Sequence, residues 1–163
     1  MIESKQIWKG RVLPEWVDYN GHLNDAYYAL IFSRSLDALM DEIGLDEEGR
    51  KANAYTIFTL EAHIKYLKEA HENEELHTNV TVLNKDEKRM HLWFEMKNEE
   101  NTTVATSEQM VMGMDQISGR PAPFPDTVDV RINQFPRLPK ENWPTGANTL
   151  MGIREKKITY TFD

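Results

Sequence analysis

Residues 24–44 read Asn-Asp-Ala-Tyr-Tyr-Ala-Leu-Ile-Phe-Ser-Arg-Ser-Leu-Asp-Ala-Leu-Met-Asp-Glu-Ile-Gly, and this stretch decides the fold. Its apolar residues recur at steps of three, four or their sums, a spacing that places side chains on one face of a helix. Asn24 is a favoured N-cap residue, Asp25 is an acid at the positive end of the helix dipole, and Gly44 suits the position after the last turn. The pattern predicts a helix of about five turns over 25–43. Its predicted apolar face consists of Tyr27, Leu30, Ile31, Leu36, Leu39, Met40 and Ile43.

Segments with the character of β-strands surround this helix. One precedes it at 6–13, and four follow it at 55–67, 76–84, 90–97 and 103–115, separated by polar turns. Consecutive strands without intervening helices favour an antiparallel sheet, and a lone helix must pack on one face of that sheet. The sequence therefore predicts an α+β fold, an antiparallel sheet wrapped around one long central helix.

The last part of the chain has a different composition. Residues 119–163 hold six of the seven prolines and are expected to form an irregular C-terminal extension with one further strand-like piece at 157–162. No repeat and no linker divides the sequence, so we expect a single domain over 1–163.

Composition and charge exclude several classes of function. The 163 residues carry a formal net charge of −8, and phosphate binding needs a basic face, so nucleic acid is not an expected partner. The absence of cysteine removes disulfide scaffolds, thiolate zinc sites and cysteine nucleophiles. Neither a secretory signal nor an apolar stretch of about 20 residues is present, so we expect a cytoplasmic protein without a membrane partner.

The loop before the helix carries the densest set of polar residues. Over eight residues it contains two acids, two amides and a histidine, and Gly21 allows a sharp turn or a close approach to a ligand. A carboxylate beside a helix N-terminus can hydrolyse an activated carbonyl, because the amides hold the developing oxyanion while the carboxylate attacks or activates water. The alternative is structural, since Asp and Asn before a helix are commonly turn and cap residues. The polar residues are Asp18, Asn20, His22, Asn24 and Asp25.

This loop resembles the motif of a known family. The order Asp18-x-x-Gly21-His22-x-Asn24-Asp25-Ala26-x-Tyr28 is similar to that of hot-dog-fold acyl-CoA thioesterases of the 4-hydroxybenzoyl-CoA thioesterase-like group. The segments 86–91, 105–110 and 119–125, with Asp115, resemble the betainyl-CoA thioesterase-like branch, so that the likeness covers roughly residues 8–126.

Two positions depart from the family pattern. Trp16 stands where the family signature has its first Asp, which is often the catalytic one, and Gly113 stands where the branch has a His. The catalytic carboxylate is therefore expected to be Asp18, with Glu15 or Glu61 as alternatives.

The resemblance implies an acyl-CoA thioesterase that acts as a homodimer or homotetramer, with active sites where two subunits meet. It implies no cofactor beyond the coenzyme A of the substrate and no metal. We expect Asp18 to be the general base or nucleophile, the amides around Asp25 to polarise the thioester carbonyl, and Asn24 to orient water or the carbonyl. His22 is either structural or catalytic.

The expected acyl group is small or cationic, for example betainyl, and a cation would contact aromatic rings. Glu61 and His63 share one face of a strand, where they lie either near the cleft or in solvent. Lys88 and Arg89 are expected to contact the CoA phosphates, the alternative being that they decorate a turn. The predicted substrate-binding residues are Trp16, Tyr19, Gly21, Tyr28, His63, Lys88 and Arg89.

Two other functions remain open on the sequence alone, because one fold hosts several activities. The first is a non-catalytic acyl-CoA-binding sensor, suggested by Trp16 in place of the family Asp. The second is a hot-dog hydratase or dehydratase that uses His63 with Glu61.

Overall fold

The structure is a computed structural model and describes residues 3–153. The chain forms β1 (Lys5–Arg11), α1 (Asp25–Glu42), α2 (Glu47–Asn53), β2 (Tyr55–Tyr66), β3 (Glu75–Lys85), β4 (Arg89–Lys97), β5 (Thr103–Asp115), β6 (Arg120–Pro121) and α3 (Asp126–Ile132). Short 3₁₀ turns occur at Pro14–Trp16 and Lys140–Asn142. The five predicted strands and the central helix are confirmed with ends that differ by at most two residues.

The strands form one antiparallel sheet in the order β1-β3-β4-β5-β2, with β6 paired to β5. Helix α1 packs on one face of this sheet, where Phe32 of the helix meets Phe94 of β4. The predicted α+β fold is therefore confirmed. The strands at the two edges are β1 and β2, and the centre of the sheet is buried under α1.

The apolar face of α1 is rotated slightly from the predicted one. Ile31, Leu36, Leu39, Met40 and Ile43 are buried as expected, whereas Tyr27 and Leu30 are only half-buried. The buried stripe is completed by Tyr28, Phe32 and Ser35. Steps of three and four residues fit several neighbouring stripes of a helix about equally well, so the sheet decides which of them is buried.

Both expected helix caps are present. The Asn24 side chain accepts a hydrogen bond from the Ala26 N–H at 3.0 Å, and Gly44 follows the helix with a φ of +89°. A Cβ is strongly disfavoured at such a φ, so Gly44 permits the turn that leads into α2.

Two short helices were not predicted. Helix α2 has no buried residue, and α3 buries only Val128 and Ile132, so neither has an apolar pattern long enough to recognise. The prediction that the chain after residue 119 is irregular is wrong over Asp126–Ile132. The strand predicted at 157–162 lies outside the described residues.

The segment after α3 covers the face of the sheet opposite α1. Leu138 is buried there with Leu83 and Trp93, and Trp143 packs against this group. The Lys65 Nζ donates to the Gly146 carbonyl at 2.8 Å. Within residues 3–153, no helix is long and apolar enough to cross a membrane.

One buried polar contact joins α1 to the sheet. Ser35 Oγ lies 2.7 Å from Thr78 Oγ1, and it also donates to the Ile31 carbonyl at 2.8 Å. Because the Ser35 proton is used within the helix, the Thr78 hydroxyl donates across the interface. Both side chains are completely buried.

We expect Ser35→Ala to lower the free energy of unfolding by about 1–3 kcal/mol, because it leaves the buried Thr78 hydroxyl without its acceptor. Adding Thr78→Val should recover part of this loss, since it removes the unsatisfied group. Urea unfolding of both single variants and the double variant measures the coupling. Ser33→Ala, at an exposed position of the same helix, is the control. Losses that simply add would show that the two hydroxyls do not interact.

Candidate active site

The loop between β1 and α1 is held by the carboxylate of Asp18. Its Oδ1 accepts hydrogen bonds from the Asn20 N–H at 2.8 Å and the His22 N–H at 3.2 Å. The backbone closes the same turn, with the Asp18 N–H donating to the His22 carbonyl and the Gly21 N–H donating to the Asp18 carbonyl. One carboxylate oxygen thus shapes the loop, while Oδ2 takes no part in these bonds.

Gly21 makes this turn possible. Its φ is +75°, in the left-handed region that a side chain disfavours. After the turn the chain pairs with itself through Val17 and Leu23 and then enters α1. The motif residues are therefore brought to the N-terminus of the helix by a compact local structure.

The first amides of α1 differ in their availability. The Ala26 N–H is bound by the side chains of both Asn24 and Asp25, each at 3.0 Å. The Asp25 N–H is the first amide of the helix and lies in the turn whose N–H groups have no intrahelical acceptor. Among the described residues it has no hydrogen-bond acceptor.

Two tyrosines attach the start of α1 to the end of β2. Tyr28 donates to the Lys68 carbonyl at 3.2 Å and accepts from the Ala70 N–H at 3.1 Å. The Tyr66 hydroxyl donates to the Asp25 carbonyl at 3.3 Å, and the two rings meet edge to face with 5.2 Å between centroids.

The pKa values of these phenols are both raised. Burial raises the pKa of Tyr28, the charges of Glu74 and Glu69 raise it further, and the bond from the Ala70 N–H lowers it. Burial and the Asp25 charge raise the pKa of Tyr66. Both tyrosines are therefore neutral hydrogen-bond donors at neutral pH.

A cleft of about 350 Å³ opens beside these groups. Among its lining residues are four predicted site residues, namely Asp18, His22, Asp25 and Tyr28. Tyr66, Lys68 and Glu69 complete the polar part of its wall. Tyr66 and Glu69 were not predicted from the sequence, because the end of β2 meets the loop only through the tertiary fold.

The predicted aromatic residues have different environments. Trp16 is buried and stacks on Tyr27, with 5.9 Å between ring centroids, and the Arg34 guanidinium lies 5.2 Å from the Trp16 ring. The Trp16 ring is thus already in contact with two of this chain's own side chains. Tyr19 is almost fully exposed at the tip of the loop.

Glu61 and His63 line a second cleft, of about 300 Å³, on β2 and β5. In this cleft the His91 Nε2 lies 2.6 Å from Glu108 Oε2, and both side chains are largely buried. The Asn148 N–H donates to both Glu108 oxygens at 2.9 Å. Sequence reasoning missed this pair, because the register between β4 and β5 that brings His91 beside Glu108 cannot be read from either strand alone.

Lys88 and Arg89 lie at the turn that begins β4. The Arg89 guanidinium binds Asp86 at 2.6 Å, and the Lys88 N–H donates to the same carboxylate at 2.9 Å. The hydrogen bonds from the Lys88 N–H and from the Arg89 side chain lower the pKa of Asp86 to about 2. Arg89 is therefore already paired with a carboxylate.

Gly113 has a packing reason of its own. A Cβ added there would overlap the Tyr55 hydroxyl, which donates to the Ala122 carbonyl at 2.7 Å. The space that a side chain at position 113 would need is thus occupied by a tyrosine from the neighbouring strand β2.

Comparisons with known proteins agree with this architecture. Residues 12–132 match the family model of the thioesterase-like superfamily. A betainyl-CoA thioesterase of Pseudomonas aeruginosa is 43% identical over 155 residues, which cover 94% of this chain and 98% of that protein.

Solved structures give the same result. A Staphylococcus aureus protein of hypothetical function, determined in complex with CoA, has a TM-score of 0.83 and 29% identity, and the match covers 94% of this chain and 99% of that one. A candidate thioesterase from Pseudomonas putida has a TM-score of 0.73 and 36% identity, covering 98% of this chain and 100% of that one. These relatives support a thioester hydrolase and confirm the resemblance stated from the motif. The chain belongs to the thioesterase-like superfamily and has its hot-dog fold.

Proposed function

We propose that this thioester hydrolase acts on betainyl-CoA or a closely related cationic acyl-CoA, with Asp18 as the catalytic carboxylate. The observation that carries the proposal is the cleft at the N-terminus of α1, where a carboxylate, a helix amide and an excess of acidic groups surround one cavity. The similarity to a betainyl-CoA thioesterase along almost the whole chain supports the choice of acyl group.

Asp18 suits the role of general base. Its Oδ1 is held by two backbone amides, so the orientation of the carboxylate is fixed and Oδ2 is left to accept a proton from water. The hydroxyl oxygen then bonds to the thioester carbon, and the carbonyl π electrons move to its oxygen. Collapse of this intermediate breaks the C–S bond, the thiolate of CoA takes up the proton, and the products are the free carboxylic acid and CoA.

The start of α1 suits the developing oxyanion. The Asp25 N–H points out of the helix end, where the dipole favours negative charge. Asn24 is engaged as the cap of Ala26, so it acts mainly by fixing the position of this amide. The reaction needs no metal, because fixed dipoles hold the oxyanion and the leaving thiolate is stable.

The charges of the cleft favour a cationic acyl group. Three acids, Asp18, Asp25 and Glu69, face a single cation, Lys68. The ring of Tyr66, which is half exposed and meets the buried Tyr28 edge to face, supplies aromatic surface to a quaternary ammonium group. We also propose that Lys88 and Arg89 contact the phosphates of CoA. In addition, we propose that the protein works in the cytoplasm, where acyl-CoA esters are made.

We further propose that two copies pair along the free edge of β2. This strand is 12 residues long and exposes large apolar side chains at Phe58, Leu60 and Tyr66. The opposite edge strand, β1, exposes no large apolar side chain and carries the charged residues Lys5, Lys9 and Arg11, which discourage pairing. The apolar edge therefore fits a second copy of the same strand.

Asp18→Asn should lower kcat with the preferred acyl-CoA by about a hundred- to ten-thousandfold, the contribution typical of a general base. The amide oxygen of Asn can still accept the two loop hydrogen bonds, so fold and ligand binding should be retained. Thiol release and calorimetric binding of CoA measure the two effects, with Asp41→Asn, an exposed acid of α1, as the control. An unchanged kcat would contradict the role of Asp18, and a wild-type protein that binds acyl-CoA without hydrolysing it would be a sensor.

Betainyl-CoA should be a better substrate than 3,3-dimethylbutanoyl-CoA, its neutral isostere. Tyr66→Leu should reduce this preference in kcat/KM by about two- to thirtyfold, since it removes a cation–π contact of about 0.5–2 kcal/mol. Measuring kcat/KM for both substrates with both proteins gives the change. Equal losses for the two substrates would mean that Tyr66 does not recognise the charge.

Phe58→Lys combined with Leu60→Lys should convert the dimer to a monomer, because charges replace the apolar side chains of the β2 edge. Sedimentation velocity measures the mass in solution. Ile117→Lys, at an exposed apolar residue outside β2, should leave the mass unchanged. A double variant with the mass of the wild type would rule out the β2 edge as the interface.

A further inference from the structure

Three potential metal ligands lie together at the rim of the cleft. His22, Glu69 and His71 each place one ligand-type atom within 4.8 Å of the other two. The His22 Nε2 is 3.3 Å from Glu69 Oε2, and the two imidazole rings meet edge to face with 5.0 Å between centroids.

The main chain holds the two histidines beside each other. His22 and His71 are directly opposed in an antiparallel β-bridge. Hydrogen bonds from the Leu23 N–H to the Ala70 carbonyl, at 2.8 Å, and from the Glu72 N–H to the Gly21 carbonyl, at 3.2 Å, flank the pair. Directly opposed residues project to the same face, so the backbone itself determines that the rings are close.

A fourth residue, Glu74, lies beside one of the rings. Its Oε2 lies 3.5 Å from the His71 Nδ1 and accepts the His71 backbone N–H at 2.9 Å. In zinc sites a carboxylate beside one ring nitrogen orients the imidazole so that its other nitrogen binds the metal, and Glu74 has the position for this role.

We propose that His22, Glu69 and His71 bind one divalent transition-metal ion of the zinc type at the rim of the cleft. Imidazole nitrogen with one carboxylate oxygen is a ligand set that suits zinc, whereas magnesium and calcium prefer oxygen ligands alone. Three protein ligands leave a fourth tetrahedral position for water.

The geometry allows the ligands to close on an ion. Bonds to zinc are about 2.0–2.2 Å long, so the three ligand atoms must move together from their present separations. The side chain of His22 is 30% exposed, and those of His71 and Glu69 are 59% and 68% exposed, which leaves them free to do so. The bound ion replaces the direct contact between His22 and Glu69 and joins the Asp18 loop to the segment after β2.

Titration calorimetry with ZnCl₂ tests this site on the full chain after removal of metal with a chelator. We expect one equivalent of Zn²⁺ to bind per chain. When Co²⁺ replaces Zn²⁺, we expect the visible absorption bands of a cobalt ion with few ligands. His71→Gln and Glu69→Gln should each weaken Zn²⁺ binding at least tenfold, and Glu74→Gln should weaken it by about ten- to a hundredfold through the orientation of His71. Glu72→Gln, at the neighbouring carboxylate outside the cluster, is the matched control.

Either of two results would overturn the proposal: no stoichiometric Zn²⁺ binding by the wild-type chain, or unchanged binding by both His71→Gln and Glu69→Gln. Circular dichroism of each variant verifies that the fold is intact, and two independent ligand variants protect the test against a loss of structure in one of them. The measurement uses no acyl-CoA, so its outcome is independent of the proposed hydrolysis of betainyl-CoA.

Discussion

The burial of one face of α1 against the antiparallel sheet is the interaction on which the rest of the structure depends. Ile31, Phe32 and Leu39 are almost completely buried there, against a sheet whose own centre includes Phe94. Burying a side chain of this kind contributes about 1.5–3 kcal/mol, so a stripe of such residues determines where the helix lies. The buried contact between Ser35 and Thr78 then limits how the helix can slide or turn on the sheet.

Once α1 is fixed, the position of its N-terminus is fixed as well, and the candidate active site forms there. The Asp18 turn delivers the chain to the helix, the Asn24 cap leaves the first amide of α1 available, and Tyr66 attaches the helix to the end of β2. The same groups that end the loop and begin the helix are those that we propose polarise a carbonyl and activate water. A structural and a catalytic role of the loop are compatible, because Oδ1 of Asp18 stabilises the turn and the proposed proton transfer uses Oδ2.

The opposite face of the sheet has a different character. There the C-terminal extension covers Leu83 and Trp93 and reaches Glu108 through the Asn148 N–H. The pair formed by His91 and Glu108 lies beneath it, beside Glu61 and His63. The extension therefore has a defined packing role, although its proline content favoured an irregular tail. The acidic cleft and the His22–His71 pair at its rim lie on the other side, where the start of α1 meets the end of β2.

The sequence by itself determined the central helix, its two caps, the five main strands, the α+β class and the family, because each of these depends on local periodicity or on a motif of adjacent residues. It also placed Asp18, His22, Asp25 and Tyr28 together, since a turn of a few residues and one helical turn connect them. Only the tertiary structure decided which stripe of α1 is buried, and that Glu69 and His71 meet His22. Strand register and chain crossing bring together residues that are more than 40 positions apart, as in the bridge between His22 and His71 and the hydrogen bond from the Ala70 N–H to the Tyr28 hydroxyl. Such contacts leave no local pattern, because the energy that forms them comes from burial of the whole core and not from the residues that meet.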